Sequence, residues 1–220
     1  MIVCINGSPK ANENNSAYFL EQLTKMVDDK DIVTYWISKE KNVDPIMENI
    51  IKSDVLLFAF PLYVDSLPSH LIRFLKKLEL YIKDKDCKTK VYVIVNCGFY
   101  EGSQTYLAIQ QMKLFCKTVH LSFGQALGIG SGEMLGGLKT VPIHNGPNKA
   151  LGEAFDVLAT SIVQKGEGED LFVKPSRFPR FAYLVASNNF WCKYAKKYGN
   201  SKYKLKKRLY HPSKPKRKES

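Results

Sequence analysis

A doubly wound α/β sheet is the fold class this sequence predicts, on three observations. Apolar β-type runs alternate with amphipathic helical segments five times over the first 165 residues, and parallel strands need such crossover helices. The central runs, Val55 to Phe60 and Val91 to Val95, are apolar without alternation, the mark of strands covered on both faces. The first run, Ile2-Val3-Cys4-Ile5, passes through the polar turn Asn6-Gly7-Ser8-Pro9-Lys10 and Asn14-Asn15-Ser16 into a helix. Amide groups at such a helix start face outward, and the helix dipole favours negative charge, so the turn reads as an anion site for a phosphorylated cofactor.

The remaining elements follow in order. Asp31 to Ile37 alternates with β-branched residues and reads as a second strand. Pro45 to Lys52 is a short helix with Asp44 as the expected N-cap and proline in its first turn. Pro68 to Tyr81 places Leu71, Phe74, Leu75 and Leu78 on one face. Gln104 to Val119 is helical, with Ser103 as the expected cap and Leu107, Gln111, Leu114 and Phe115 near one stripe. Leu121 to Ile129 is the fifth strand, and Leu151 to Gln164 is the last helix of the body, with Leu151, Phe155, Leu158 and Ile162 inward. Five strands in the order 2-1-3-4-5 make a flavodoxin-like, three-layer sheet, whose ligands bind past the carboxyl ends of the strands where the order reverses. The loops after strands 1, 3 and 4 are therefore expected to carry the chemistry.

Composition narrows the function classes. At 220 residues and 45% hydrophobic, the chain suits one α/β domain with an extra segment. Its longest apolar stretch, Val55 to Val64, is far short of the roughly 18 residues a membrane span requires. Met1-Ile2-Val3 enters a strand with no basic region before it, so no signal peptide is expected and the cytoplasm is the expected location. The five cysteines never fall at C-x-x-C spacing, which gives no support to a metal site; reduced structural thiols are expected. The net charge of +12 is unevenly placed. Residues 174–220 hold fifteen Lys/Arg against one acid, a charge of +14, and residues 1–173 hold eighteen against twenty, a charge of −2. Basicity belongs to a C-terminal arm.

The three loops contribute different groups. In the first, Ser8, Asn15 and Ser16 can donate to phosphate oxygens and Lys10 adds charge. A solvated turn with Asn15 or Ser16 as helix cap is the alternative use of the same residues. Neither G-x-x-x-x-G-K-[ST] nor G-x-G-x-x-G is present, which disfavours a P-loop NTPase and a dinucleotide Rossmann domain. The second loop, Pro61-Leu62-Tyr63-Val64-Asp65-Ser66-Leu67-Pro68, is stiffened by two prolines and centred on a tyrosine, which suits a flat heteroaromatic ligand. In the third, Asn96-Cys97-Gly98-Phe99, glycine permits close approach of a ligand and Asn96 can read a polar ring edge. Cys97 has no base near it in sequence, so no nucleophile is assigned.

Gly7-Ser8-Pro9-Lys10 with Asn15-Ser16 resembles the phosphate loop of NAD(P)H-dependent FMN reductases. Pro61-Leu62-Tyr63 with Ser66 and Pro68 is similar to that family's isoalloxazine loop. Gly128 to Pro147 resembles a connection in the branch related to iron–sulfur flavoproteins, although the compact cysteine cluster of that branch is missing. The resemblance covers roughly residues 1–165. It implies FMN without a cluster, its phosphate on Ser8, Lys10, Asn15 and Ser16. The ring would lie over Pro61, Leu62, Tyr63 and Val64, with Asn96, Cys97, Gly98 and Phe99 along its pyrimidine side. It also implies hydride transfer from NAD(P)H to the flavin and on to a quinone, nitro compound, free flavin or metal complex. Neither a catalytic acid or base nor a metal ligand is assigned. Subunits of this family commonly pair, so a homodimer or larger assembly is expected, with Gly128 to Pro147 as a partner contact or a mobile lid. The alternatives are a flavodoxin-like electron carrier and an anion- or nucleic-acid-binding module that uses the basic arm.

The expected organisation is a cofactor domain over 1–165, a linker over 166–180 and a basic aromatic helix and tail over 181–220. Phe178 to Gly199 reads as a helix that repeats Phe181, Leu184, Val185, Trp191 or Cys192, Ala195 and Tyr198 at helical spacing. The tail from Ser201 reads as disordered. Three partners suit the arm: its own body or a partner subunit, an anionic membrane surface, or nucleic acid.

Overall fold

The computed structural model describes residues 1–27 and 31–207. The chain divides into two compact units, Met1–Arg177 and the segment from Phe178 onward. In the first unit the element order is β1 (Ile2–Asn6), α1 (Asn15–Val27), β2 (Ile32–Trp36), α2 (Asp44–Lys52), β3 (Val55–Pro61), α3 (Ser69–Ile82), β4 (Lys90–Asn96), α4 (Tyr106–Thr118), β5 (Ser122–Ile129), α5 (Gly132–Gly137), α6 (Lys149–Val163) and β6 (Leu171–Val173).

The sheet is parallel throughout, with order β2-β1-β3-β4-β5-β6. Two-residue periodicity divides its side chains between two cores. Val3, Ile5, Leu56, Phe58, Phe60, Val91, Val93 and Val95 face α2, α3 and α4. Cys4, Leu57, Ala59, Tyr92, Ile94, Leu127 and Ile129 face α1, α5 and α6. Helices on both faces make every central strand a buried strand, which is why these strands read as unbroken apolar runs.

The expected count of five strands gives way to six. β6 lies within residues 166–180, where a linker was expected, and pairs Leu171, Phe172 and Val173 with Leu127, Gly128 and Ile129. The segment before it is tied down from the sheet. The Tyr92 hydroxyl donates to the carbonyls of Ser161 (2.9 Å) or Gly166 (2.8 Å), and Gln125 Nε2 donates to the Glu169 carbonyl (2.7 Å). Three capping expectations also change. Asn14 caps α1, its Oδ1 accepting from the Ala17 amide at 2.9 Å. Val43 occupies the cap position of α2, with Asp44 inside the helix. Ser103 sits within a 3-10 turn over Gly102–Thr105, leaving Thr105 at the cap of α4. The buried face of α4 is Ala108, Ile109, Met112 and Cys116, whereas Leu107 and Leu114 are exposed.

The second unit holds α7 (Arg180–Lys196) and α8 (Lys202–Lys206). α8 stands where the tail was expected to be disordered from Ser201, its first turn capped by Ser201 Oγ accepting from the Lys204 amide, and residues 208–220 of that tail lie outside the described residues. Among the described residues, no helix is long and apolar enough to cross a membrane.

A candidate cofactor site at the carboxyl ends of the strands

The strand order reverses between β1 and β3, and the sheet register brings their ends level. Asn6 stands beside Ala59, Pro61 beside Asn96, and Asn96 beside Ile129. Backbone bonds carry the pairing past the strands: Gly7 N–H to the Ala59 carbonyl (2.8 Å), Leu62 N–H to that of Asn96 (2.8 Å) and Cys97 N–H to that of Ile129 (2.9 Å). Four loops therefore leave one edge side by side.

The β1–α1 loop is held by its own side chains. Asn6 Oδ1 accepts from the Ser8 amide (3.0 Å), Ser8 Oγ accepts from the Lys10 amide (3.3 Å), and Asn14 Nδ2 donates to the Asn12 carbonyl (3.0 Å). Ser8 and Ser16 are buried, while Lys10 is exposed. In these bonds each serine oxygen acts as acceptor, Ser8 from Lys10 and Ser16 from Asn96. Their hydroxyl hydrogens remain available to an anion. The amides of Asn15 and Ser16, ahead of the capped Ala17 amide, and the Lys10 ammonium complete a donor set that fits a phosphate. Asn15 lies against α5, for a Cβ built on Gly136 would approach its Oδ1 to 2.4 Å.

The β3–α3 loop is a two-residue hairpin. Tyr63 and Ser66 exchange both backbone hydrogen bonds at 3.0 Å, and Val64 and Asp65 take φ of 50° and 55°. Both central residues are left-handed, as a type I′ turn requires, yet neither is glycine or asparagine. A β-branched residue in this region is strained. Val64 is nevertheless 98% exposed, Tyr63 43% and Phe99 of the next loop 53%. The hairpin is anchored from α4, where Gln111 Oε1 accepts from the Ser66 hydroxyl at 3.0 Å and the Leu67 amide at 3.4 Å.

The β4 loop contributes Asn96 to Phe99. Asn96 reaches the expected place, but its two amide hydrogens are engaged, by Ser16 Oγ at 2.8 Å and the Phe60 carbonyl at 3.2 Å. It ties β4 to β3 and α1 instead of offering that amide to a ring. Cys97 is buried, and burial pushes its thiol up to about 11, so it is a poor nucleophile at neutral pH. Gly98 is informative for what surrounds it. Its φ is not left-handed, and a Cβ there would meet nothing within 4 Å. Neighbouring glycines differ, since a Cβ on Gly102 or Gly130 would come within 2.3 Å of backbone. The fold requires glycine at 102 and 130 and not at 98, and open space in front of Gly98 fits a flat ligand.

Two further segments reach the site, one expected as a partner contact or lid and one, His70, not assigned to it from the sequence. Gly128 to Pro147 is built structure, containing α5 and a 3-10 turn, with Leu135 and Ile143 buried. It reaches the first loop through Lys139–Glu13 at 2.8 Å, and the third through Ser131 N–H to the Phe99 carbonyl and Gly132 N–H to that of Cys97. His70, in the first turn of α3, meets the carbonyls of Ser8 and Gly7. Burial and then the Arg73 charge lower its pKa, against the pull of those carbonyls, and its Nε2 is buried without a partner. Two grooves of about 290 and 270 Å³ lie on helix faces, one at α1 and α6, the other between α3 and α4 beside Ser66 and Leu67. The strand-end site is located by topology, at the point where the strand order reverses. Among the described residues no cluster of side chains is arranged to hold a metal ion.

No protein-family model and no curated protein matches the sequence. Solved structures do. NADPH-quinone reductase from P. pentosaceus superposes with a TM-score of 0.54 at 12% identity, over 74% of this chain and 97% of that one. An FMN-dependent NADH-azoreductase from Bacillus anthracis in complex with FMN gives 0.53 at 11%, over 74% and 99%. Trp repressor binding protein from Bacillus subtilis gives 0.50 at 22%, over 59% and 84%. The fold is flavodoxin-like. At these identities the likeness establishes architecture, and the sixth strand extends the expected order at one edge without moving the point of reversal.

Proposed function

We propose that this chain is an FMN-dependent oxidoreductase that accepts a hydride from NAD(P)H and passes the electrons to a small acceptor such as a quinone, nitro compound, flavin or metal complex. The observation that carries the reading is the convergence, at the point of strand reversal, of a phosphate-type donor set and an apolar ring seat fronted by the open space at Gly98. The names of the fold neighbours, which include FMN and NAD(P)H reductases, support it.

In this reading Ser8, Lys10, Asn15 and Ser16 hold the FMN phosphate through hydroxyl, ammonium and amide hydrogens. The flavin, when bound, supplies the hydride-accepting and hydride-donating chemistry. Pro61, Leu62, Tyr63 and Val64 support one side of the ring and keep water from it. Cys97, Gly98 and Phe99 present backbone to its polar edge, positioned by the Asn96 ties. No acid or base is assigned in this reading; the residues named orient the group, compensate its charge and exclude water. Pairing of two copies belongs to the same reading, since exposed Val64, Leu107 and Leu114 leave apolar surface that a second copy would cover. Sedimentation velocity checks that part.

Purified protein tests the whole. A yellow protein, or one that takes up FMN and is bleached by NAD(P)H under nitrogen, is the expected result. Flavin that NAD(P)H cannot reduce would move the chain to the electron carriers, and a chain that takes up no FMN would end both readings.

A further inference from the structure

We propose that the C-terminal unit is a docking element for the surface of an anionic lipid bilayer. Between Phe178 and Lys207 there are eight Lys/Arg and no acid. In the second half of α7 and the turn after it, side chains segregate at 100° per residue. Lys193, Lys196 and Lys197 share one side with Asn189, and Phe190, Trp191, Tyr194 and Tyr198 share the other. The first half is less divided, with Arg180 and Asn188 on the apolar side and Val185 on the lysine side.

The aromatic side is continuous. Ring centroids lie 6.2 Å apart for Phe190 and Tyr194, 5.9 Å for Trp191 and Tyr194, and 5.3 Å for Tyr194 and Tyr198. Much of it faces water: Trp191 is 58% exposed and Tyr198 67%. Phe181, Leu184 and Val185 add exposed apolar surface, and α8 alternates Lys202, Lys204 and Lys206 with exposed Tyr203 and Leu205. An exposed apolar surface of this extent, rimmed by cations, marks an interaction site.

The chemistry selects among partners. Nucleic acid offers phosphates to the lysines but has little use for exposed leucine, valine and phenylalanine. The rings pack on one another, which leaves fewer open faces for stacking bases. A bilayer interface matches the second half of α7 and α8. Tryptophan and tyrosine settle at headgroup level, aliphatic side chains enter the acyl boundary, and lysines reach back to anionic headgroups along their methylene stems.

Full-length protein is mixed with vesicles of phosphatidylcholine alone, with vesicles containing phosphatidylglycerol, and with a single-stranded oligonucleotide. The expected result is co-sedimentation with phosphatidylglycerol vesicles at low salt, with about tenfold or greater loss at high salt. In a Trp36→Phe background, Trp191 emission shifts to shorter wavelength on binding. Combined Lys193→Gln, Lys196→Gln and Lys197→Gln substitutions reduce vesicle binding about tenfold or more, since each lysine contributes separately near the surface. Phe190→Ser with Trp191→Ser removes the part that survives moderate salt. These residues are exposed, so circular dichroism is expected to be unchanged. Equal binding by the triple-lysine variant, or no binding to anionic vesicles at low salt, overturns the proposal. So does capture by the oligonucleotide alone, or a change in oligomeric state with no vesicle binding. FMN content and bleaching are read separately, so failure here leaves the proposed activity standing.

Discussion

The β1–α1 loop and the β3–α3 hairpin occupy adjacent places at one sheet edge and are built on opposite plans. The first is a polar network in which Asn6, Ser8 and Asn14 satisfy one another and the backbone, with Ser8 and Ser16 buried. The second has few such ties, holds two left-handed non-glycine residues and exposes its apolar tip. A site for a charged group needs donors fixed in advance, because reorganising dipoles on binding costs affinity. A seat for a flat ring needs shape and apolar surface, which a stiff strained hairpin provides with its side-chain ties at its base, to Gln111. Asn96 is the residue through which the two plans meet.

The two loops are most vulnerable at Asn96. Asn96→Leu leaves buried Ser16 without its donor and removes the tie to the Phe60 carbonyl, so a loss of about 2–3 kcal/mol is expected in urea unfolding. An unchanged midpoint would show the two loops to be independently built. Next in size is Gly98→Val. It is expected to lower FMN affinity about tenfold or more, by blocking close approach of the ring, while the thermal midpoint holds, since a Cβ there meets nothing within 4 Å. Flavin fluorescence titration beside a melting curve separates the effects, and a drop in stability with intact affinity would remove Gly98 from the site.

Val64→Asn tests the strain of the hairpin. Asparagine tolerates left-handed φ, so denaturation is expected to show a gain of roughly 0.5–1 kcal/mol. A loss would mean that Val64 is held by contacts its 98% exposure does not reveal. The smallest expected effect concerns His70 under the polar loop. Burial and Arg73 favour its neutral form when folded, so its pKa lies below the ordinary value of 6.5. As pH falls through 6.5 the unfolded chain binds the proton first. This contribution to stability is therefore present above that value and is lost on descent toward the lowered folded pKa. His70→Asn is expected to flatten this part of a stability-against-pH profile; an identical profile would show that His70 does not sense the loop.

Much of this architecture was legible in the chain. The inward residues of α3 and α6 were readable because one helical face in each is far more apolar than the other. In α4 the bulkiest aliphatics misled. Leu107 and Leu114 share a stripe, but Ala108, Ile109, Met112 and Cys116 make a second helical pattern, and the sheet took that one. β6 was hidden because three strand residues follow a glycine and acid run that looks like a hinge; its pairing depends on β5, which lies more than forty residues earlier. At the site, the loops that would converge could be named, since strand order alone puts them at one edge. Which donors stay free could not, because that depends on hydrogen bonds as distant as Asn96 to Ser16.

By itself, then, the sequence determined the alternation of strands and helices, the buried character of the central strands, the separation of a near-neutral body from a basic arm, and the three loops bearing ligand-type residues. These follow from local periodicity, turn chemistry and charge, all of which are written in neighbouring residues. Tertiary structure alone decided the sixth strand, the buried face of α4, the commitment of Asn96, the strain at Val64 and the open space before Gly98. Each of these is a relation between residues far apart in the chain, settled by which surfaces pack together and not by what any short segment prefers.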